Sequence, residues 1–215
     1  MEKTQELAME ILTRLGALKR GHFRLTSGLH SDCYMQCAVL FEHPKESESL
    51  CRALAEGFAG QRIDLVASPA VGGVIMGYEM ARALSVRNVF AEREDGRMTL
   101  RRGFRVEPGE RALVVEDVVT TGGSVREVIE LLRGAGAEVV GVGSVVDRSG
   151  GRVDFGVPFH ALMTMEASAW REEECPLCKK GEPIVKPGSR QLKKERPPPR
   201  PALPTRLFQI VFPMG

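Results

Sequence analysis

The chain has 215 residues and a net charge of +2, and 43% of its residues are hydrophobic, which suffices for one domain with a sizeable core and an appendage. The charge is uneven: residues 186–215 hold seven Lys or Arg and one Glu, so this tail carries +6 and the first 185 residues carry −4. An acidic body disfavours nucleic acid as a partner, and no apolar run approaches the roughly 18 residues of a membrane span, so we expect a cytoplasmic protein that does not bind membranes.

The first third of the chain predicts a helix, a hairpin and a second helix. Leu7, Ile11, Leu12 and Leu15 recur at helical spacing, which predicts an amphipathic helix over 3–15. Short extended runs at 23–25 and 33–39 flank the polar turn 26–32 and favour a β-hairpin. Pro44 then opens a helix that continues to about residue 58.

Strands and helices alternate through the middle of the chain. Predicted strands lie at 63–67, 86–91, 111–115, 139–146 and 160–163, and predicted helices lie at 74–84 and 124–132. This alternation predicts an α/β fold with a mostly parallel central sheet flanked by helices. Ligands of such sheets bind at the carboxyl ends of the strands.

The stretch 111–125 carries the strongest chemical signal. A buried-strand run ends at Glu116 and Asp117, a turn rich in hydroxyls and glycines follows, and a helical pattern begins at Ser124. Backbone N–H groups at a helix N-terminus bind phosphate, and the two carboxylates can accept hydrogen bonds from sugar hydroxyls. The competing interpretation is a capping box formed by Ser124 and Glu127, which leaves the paired acids unexplained.

Three further loops follow predicted strands. Residues 68–73 form a small turn with two glycines that could expose N–H groups to a diphosphate. Residues 92–105 contain five arginines and two glycines, and we interpret them as a flexible lid that closes over the site. The third loop starts at Asp147 and places Arg148 at the mouth of the same site.

Five cysteines are an odd number that suits no secreted disulfide framework. Cys175 and Cys178 have the spacing of half a zinc site, but the local sequence offers no second pair of ligands. Structural thiols or a local disulfide are the favoured interpretation. A metal site completed by Cys33 and Cys37, or a redox-active pair, stays open.

The run from Val114 through Glu116, Asp117, Thr120, Thr121 and Gly122 to Ser124 resembles the phosphoribosyl-diphosphate signature of type I phosphoribosyltransferases. Residues 23–34, 90–104 and 145–148 further resemble the hairpin, the mobile loop and the substrate arginine of the orotate phosphoribosyltransferase family. The resemblance covers residues 1 to about 188. It implies a type I phosphoribosyltransferase fold in one domain, with hood elements at about 1–42 and 159–188.

The resemblance also implies a reaction and a set of roles. The substrates would be orotate and 5-phosphoribosyl 1-diphosphate, and the reaction would be a step of UMP biosynthesis. Mg²⁺ would be coordinated by oxygens of the substrate, and the chain would form a homodimer. Asp117 and Arg97 would be the catalytic residues, Arg93 and Arg97 would bind the diphosphate, and Thr120 and Arg148 would bind orotate. The phosphoribosyl group would be held by Glu116, Asp117, Val118, Val119, Thr120, Thr121, Gly122, Gly123 and Ser124, with no protein residue assigned as a direct metal ligand.

The sequence departs from the family pattern in two places. Thr26 stands where many members have lysine, and Glu94 and Thr99 stand at loop positions that are lysine and histidine in the pattern. A purine phosphoribosyltransferase, or a regulator that senses phosphoribosyl diphosphate, remains an alternative. Residues 189–215, rich in proline, lysine and arginine, lie beyond the resemblance and predict an extended segment.

Overall fold

A computed structural model describes residues 2–25, 27–166 and 168–187. The helices are α1 (Glu2–Arg14), α2 (Pro44–Glu56), α3 (Gly73–Leu84), α4 (Gly123–Gly134) and α5 (Pro176–Lys179). The strands are β1 (Leu18–Arg24), β2 (His30–Met35), β3 (Leu65–Pro69), β4 (Arg87–Glu94), β5 (Arg97–Leu100), β6 (Arg111–Val119), β7 (Glu138–Asp147) and β8 (Phe159–Thr164). Thr26 and the predicted tail lie outside the described residues.

Six strands form the central sheet in the order β5-β4-β3-β6-β7-β8. All neighbours in this sheet are parallel except β5, which pairs antiparallel with β4. The middle parts of the central strands β3, β6 and β7 are apolar and buried, as expected where helices cover both faces of a sheet. The predicted α/β fold with a mostly parallel sheet is therefore confirmed.

Two apolar clusters bury the two faces of the sheet. One contains side chains of α1, α2 and α3, and the other is built around α4. In α4, Val125, Val128, Ile129 and Leu132 recur at i, i+3, i+4 and i+7, so one stripe of the helix is buried. This packing fixes the N-terminus of α4 beside the carboxyl end of β6.

The hood consists of the β1–β2 hairpin and the C-terminal segment 168–187. His30 and Trp170 exchange backbone hydrogen bonds of 2.8 and 2.9 Å, and β1 is bridged to Val185. The hairpin was predicted at 23–25 and 33–39, and its strands lie earlier because Cys37–Glu42 forms a buried 3₁₀ turn. The predicted hood included residues 159–164, which the structure places in the central sheet as β8.

Two predicted boundaries were wrong. Strand β6 continues through Glu116 and Asp117 to Val119, where we expected it to end at Val115. The lid was expected to be an irregular loop, but β4 reaches Glu94 and pairs with β5. Asp95 and Gly96 between them both have positive φ, which is the geometry of a two-residue hairpin turn and a preferred use of Asp-Gly.

No helix of the described residues combines the length and the apolar composition that a bilayer crossing requires.

Candidate active site

A cavity of about 170 Å³ opens where β6 ends and α4 begins. Its walls are nine residues of one continuous stretch: Glu116, Val118, Val119, Thr120, Thr121, Gly122, Gly123, Ser124 and Val125. Eight of these nine are in the predicted phosphoribosyl-binding set, and Asp117 is the one member of that set that does not line the cavity.

The N-terminus of α4 faces this cavity without a side-chain cap. Gly122 is the N-cap residue, and no side chain accepts a hydrogen bond from the first turn. The capping-box interpretation was wrong because Ser124 lies inside the helix, and Glu127 instead pairs with Arg93 at 2.6 Å. The first N–H groups of a helix have no intrahelical partner, so they are available to an anion such as phosphate.

Gly122 shapes this turn for two reasons. Its φ of +75° lies in the left-handed region, which side-chain-bearing residues rarely adopt. A Cβ atom here would also lie 2.7 Å from the Phe155 ring, which is too close for any packing. Glycine is therefore required for the backbone to pass between β6 and α4 in this conformation.

Two adjacent carboxylates lie near the end of β6, and one of them, Glu116, lines the cavity. Asp117 Oδ1 accepts a hydrogen bond of 2.9 Å from the N–H of Val118, which fixes the side chain. Burial, together with the neighbouring Asp117 carboxylate, raises the pKa of Glu116 to about 8. A ligand that brings hydroxyl donors or positive charge would relieve this repulsion, so the pair is suited to a sugar or to a cation held by a sugar.

The turn after β3 lies directly against the two acids. A Cβ atom on Gly72 would lie 3.4 Å from Asp117 Oδ1, and one on Gly73 would lie 3.3 Å from Glu116 Oε1. The peptide bond between Ala70 and Val71 is cis. The structure thus brings the predicted 68–73 turn to the same end of the sheet as the cavity between β6 and α4.

Thr120 and Arg148 directly follow the paired last residues of the neighbouring strands β6 and β7. Val119 pairs with Asp147 in the register of β6 and β7, and the N–H of Arg148 donates to the carbonyl of Val119 at 2.7 Å. The Nε of Arg148 is buried and has no hydrogen-bond partner among the described residues. A guanidinium that has a buried donor without a hydrogen-bond partner, and that lies next to the end of β6, is suited to a carboxylate ligand.

Asp147 was not singled out from the sequence, yet it builds the loop that carries Arg148. Its buried carboxylate accepts hydrogen bonds from the N–H groups of Ser149 and Gly151 at 2.7 and 2.9 Å. Both bonds are the local turn-forming contacts that Asp makes a few residues downstream. The pattern Asp-Arg-Ser-Gly-Gly contained this signal.

The hairpin arginines do not reach this cavity. Arg93, Arg101 and Arg102 are held by Glu127, Glu94 and Glu92, respectively. Arg97 forms no ion pair with a described residue and lies in a separate hollow beside Glu127 and Glu130 of α4. The two predicted diphosphate ligands Arg93 and Arg97 are therefore not assembled with the acids within one chain.

Comparison with known proteins agrees with this geometry. The model of the phosphoribosyl transferase domain family matches residues 40–155. The orotate phosphoribosyltransferase of Caldanaerobacter subterraneus subsp. tengcongensis is 58% identical over 192 residues, which is 89% of this chain and all of the relative. The chain belongs to the orotate phosphoribosyltransferase family.

Two further orotate phosphoribosyltransferases are similar to this chain in sequence or in structure. The enzyme of that name from Thermotoga petrophila is 58% identical over 86% of this chain and 98% of its own length. The crystal structure of orotate phosphoribosyltransferase from Aeropyrum pernix superposes with a TM-score of 0.61 at 29% identity, covering 74% of this chain and 93% of that one. The predicted family and fold are confirmed.

Proposed function

We propose that this chain transfers the phosphoribosyl group of 5-phosphoribosyl 1-diphosphate to orotate and releases diphosphate and orotidine 5'-phosphate, a step of pyrimidine biosynthesis. The relatives that cover almost the whole body of the chain bear the name of this activity. The observation that carries the choice of base is Arg148, whose buried Nε has no described partner and whose backbone N–H bonds to Val119 at the end of β6.

The sugar-phosphate half of the substrate fits the β6–α4 stretch. The uncapped first turn of α4 offers N–H groups to the 5-phosphate, and the hydroxyls of Thr120, Thr121 and Ser124 lie on the same stretch. The carboxylates of Glu116 and Asp117 would accept hydrogen bonds from the 2- and 3-hydroxyls of the ribose. Asp117 would also stabilise the positive charge that develops on the ring at the transition state.

The base half fits the junction of β6 and β7. Arg148 would pair with the orotate carboxylate, while Thr120 would donate or accept a hydrogen bond beside it. A neutral purine carries no carboxylate and would leave the guanidinium unpaired in a half-buried position, which is unfavourable. This is the physical reason for preferring orotate.

The diphosphate and Mg²⁺ fit the space between the 68–73 turn and the acidic pair. Carboxylate oxygens are the donors that Mg²⁺ prefers, and Glu116 and Asp117 offer them where the ribose and diphosphate oxygens would converge. When bound, Mg²⁺ neutralises the charge of the leaving diphosphate. The N–H groups of the turn and the arginines of the β4–β5 hairpin would hold the same diphosphate.

The reaction breaks the bond between C1 of the ribose and the diphosphate oxygen and forms a bond from C1 to N1 of orotate. It requires alignment of the two substrates, charge stabilisation and exclusion of water, and it needs no protein nucleophile. The site fits this requirement because it offers acids, a cation and backbone N–H groups at the end of rigid strands.

A homodimer would complete the site. Arg97 forms no ion pair with a described residue, and it lies away from the cavity of its own chain. Val71 in the turn before α3 and Ile75 and Tyr78 on α3 are 87%, 51% and 60% exposed, and they offer apolar contact area to a second copy. We propose that the hairpin of one subunit supplies Arg97 to the neighbouring site. All five cysteines are free thiols, which supports a reducing, cytoplasmic location.

The test is a nucleobase panel. The purified chain is mixed with Mg²⁺, phosphoribosyl diphosphate and one base at a time, and orotate consumption is followed by its ultraviolet absorbance. We expect turnover with orotate that stops when Mg²⁺ is left out. Turnover of a purine without consumption of orotate would refute the proposal.

A further inference from the structure

The hood brings together four metal-binding side chains that are far apart in the sequence. His22 and His30 come from β1 and β2, and Cys175 and Cys178 come from the C-terminal segment. Their candidate ligand atoms all lie within 4.8 Å of one another. We propose that these four residues form a structural zinc site, which is separate from the active site and does not depend on the proposed reaction.

The distances between the ligand atoms lie within about half an ångström of those expected around a tetrahedral zinc ion. His22 Nε2 lies 3.1 Å from His30 Nδ1 and 3.5 and 3.6 Å from the sulfurs of Cys175 and Cys178, and His30 Nδ1 lies 3.1 Å from Cys178 Sγ. Zinc bonds of about 2.0–2.1 Å to nitrogen and about 2.3 Å to sulfur place such atoms roughly 3.3–3.6 Å apart around one ion.

The tautomer of His22 is fixed in the form that binds a metal. Its Nδ1 lies 2.8 Å from the carbonyl oxygen of Glu182, and because a carbonyl can only accept, Nδ1 carries the proton. The lone pair of Nε2 therefore faces the other three ligand atoms. One lone pair can accept one good hydrogen bond, whereas a cation at the centre satisfies all four groups. A backbone carbonyl that orients a ligand histidine is also a recurrent feature of metal sites.

The ligand set favours zinc and a structural role. Two thiolates and two neutral imidazoles are soft and borderline ligands that suit Zn²⁺, whereas Mg²⁺ prefers oxygen. Four protein ligands leave no open position for a substrate, as in structural zinc sites. Binding would release the two thiol protons to solvent, and the two thiolate charges would neutralise the ion in a site where His22, His30 and Cys175 are buried.

The metal would hold a segment that has little other support. The 3₁₀ turn at 172–174 and helix α5 contain no buried residue, and Ile184 and Val185 are half exposed. This segment is tied to the hairpin by the backbone bonds of His30 with Trp170 and of Val185 with β1. A zinc ion between them would cross-link the two halves of the hood through residues about 150 positions apart.

The alternatives considered from the sequence do not fit as well. Both cysteines are free thiols, so no local disulfide is formed. Cys33 and Cys37 do not complete the pair, since Cys33 lies beside the Ser31 hydroxyl and Cys37 faces the carbonyl of Asp117. The histidines of the hairpin take the place that we had considered for those two cysteines.

The first experiment is metal analysis of the full chain, purified under reducing conditions without chelator. We expect one zinc per chain in the wild type and at least a tenfold loss in Cys178→Ser and His22→Ala. Cys51→Ser is the matched control because Cys51 is a buried free thiol on α2, outside the cluster, and it should keep its zinc.

A second measurement covers the case in which the variants fold poorly. Zinc is removed from the wild type with a mercurial thiol reagent, the thiols are regenerated, and Co²⁺ is added. Tetrahedral Co²⁺ with two thiolates should give intense visible bands together with a thiolate charge-transfer band. Trp170 is the only tryptophan, so its fluorescence should shift to the red when the metal leaves and return when it is restored.

The proposal is overturned if the reduced wild-type chain holds less than a tenth of a zinc per molecule and binds no tetrahedral Co²⁺. It is also overturned if Cys51→Ser loses zinc as completely as Cys178→Ser does.

Discussion

The carboxyl edge of the central sheet and the hood are organised by different parts of the sequence. The site at the sheet edge is formed mainly by one continuous stretch, residues 116–125, which a strand and a helix hold rigidly. The hood cluster joins residues 22 and 30 to residues 175 and 178, and the C-terminal half of it has little core of its own. We therefore assign the proposed chemistry to the sheet edge, and we propose that a zinc ion cross-links the hood.

The largest effect should come from Asp117→Asn, which removes a charge from the sheet edge and leaves the hood intact. We expect turnover to fall by about 10²–10³-fold, the loss typical of removing one group that stabilises transition-state charge. Steady-state kinetics on orotate and phosphoribosyl diphosphate measure it. Asp154→Asn is the control because Asp154 serves only a surface turn. If Asp117→Asn lost its zinc but kept its turnover, the division between the two regions would be wrong.

The next effect concerns the base. Arg148→Ala should raise the KM for orotate by about 10–100-fold, since a charge-assisted hydrogen bond contributes about 1.5–3 kcal/mol. The KM for phosphoribosyl diphosphate should change much less. Arg152→Ala is the control because Arg152 lies in the same loop but pairs with Glu166 at the surface. Equal damage to both KM values would contradict the assignment of Arg148 to the base.

A third prediction tests whether the hairpin acts across subunits. Arg97→Ala should lower turnover by about 10–100-fold, whereas Arg102→Ala, whose side chain is held by Glu92, should have a smaller effect. Mixing Arg97→Ala with Asp117→Asn subunits should restore about a quarter of wild-type activity, because half of the dimers would be mixed and each would contain one intact site. No recovery on mixing, in subunits shown to exchange, would place the hairpin in its own chain's site.

The smallest effect is on stability and depends on pH. Because burial raises the pKa of Glu116 to about 8, this side chain keeps its proton in the folded chain up to about that pH. In the unfolded chain, where its pKa is near the ordinary 4.5, the same side chain has already lost the proton. The wild type therefore loses stability as the pH rises from 5 to 9, and Glu116→Gln does not share this loss. We expect the Tm of Glu116→Gln minus the Tm of the wild type to increase by several degrees from pH 5 to pH 9, since about 1 kcal/mol corresponds to roughly 2–4 °C. Both proteins are measured without substrate and without magnesium.

Glu130→Gln, an exposed carboxylate on α4, is the control for this measurement. A Tm difference between Glu116→Gln and the wild type that stays constant from pH 5 to 9 would show that Glu116 titrates normally in the folded chain.

How well each region could be predicted depends on how far apart in the sequence its residues lie. The β6–α4 site was predictable because local rules join a strand end, paired acids, a glycine turn and a helix start within about ten residues. The hairpin β4–β5 was missed because its arginines and glycines suggested a flexible lid, although Asp95-Gly96 was a turn signal. The strand end was placed too early because Glu116 and Asp117 are polar, yet both lie within β6 and Glu116 pairs with Ser144 of β7.

The hood cluster could not be assembled from local spacing. Cys175 and Cys178 indicated half of a metal site, but His22 and His30 lie some 150 residues away and become neighbours only when the C-terminal segment folds back on the hairpin. From the sequence, structural thiols or a local disulfide were the favoured interpretation, and Cys33 and Cys37 were an open alternative as further metal ligands. The backbone bridge between His30 and Trp170 is a tertiary contact that no local sequence pattern predicts.

The most direct test of the proposed activity is a competition between bases. The chain is given limiting phosphoribosyl diphosphate, Mg²⁺ and an equimolar mixture of orotate, uracil, adenine, guanine and hypoxanthine, and the nucleotides formed are identified by mass spectrometry. We expect orotidine 5'-phosphate as the dominant product in the wild type and its selective loss in Arg148→Ala. A purine nucleotide as the main product of the wild-type chain would contradict the assignment of orotate as the substrate.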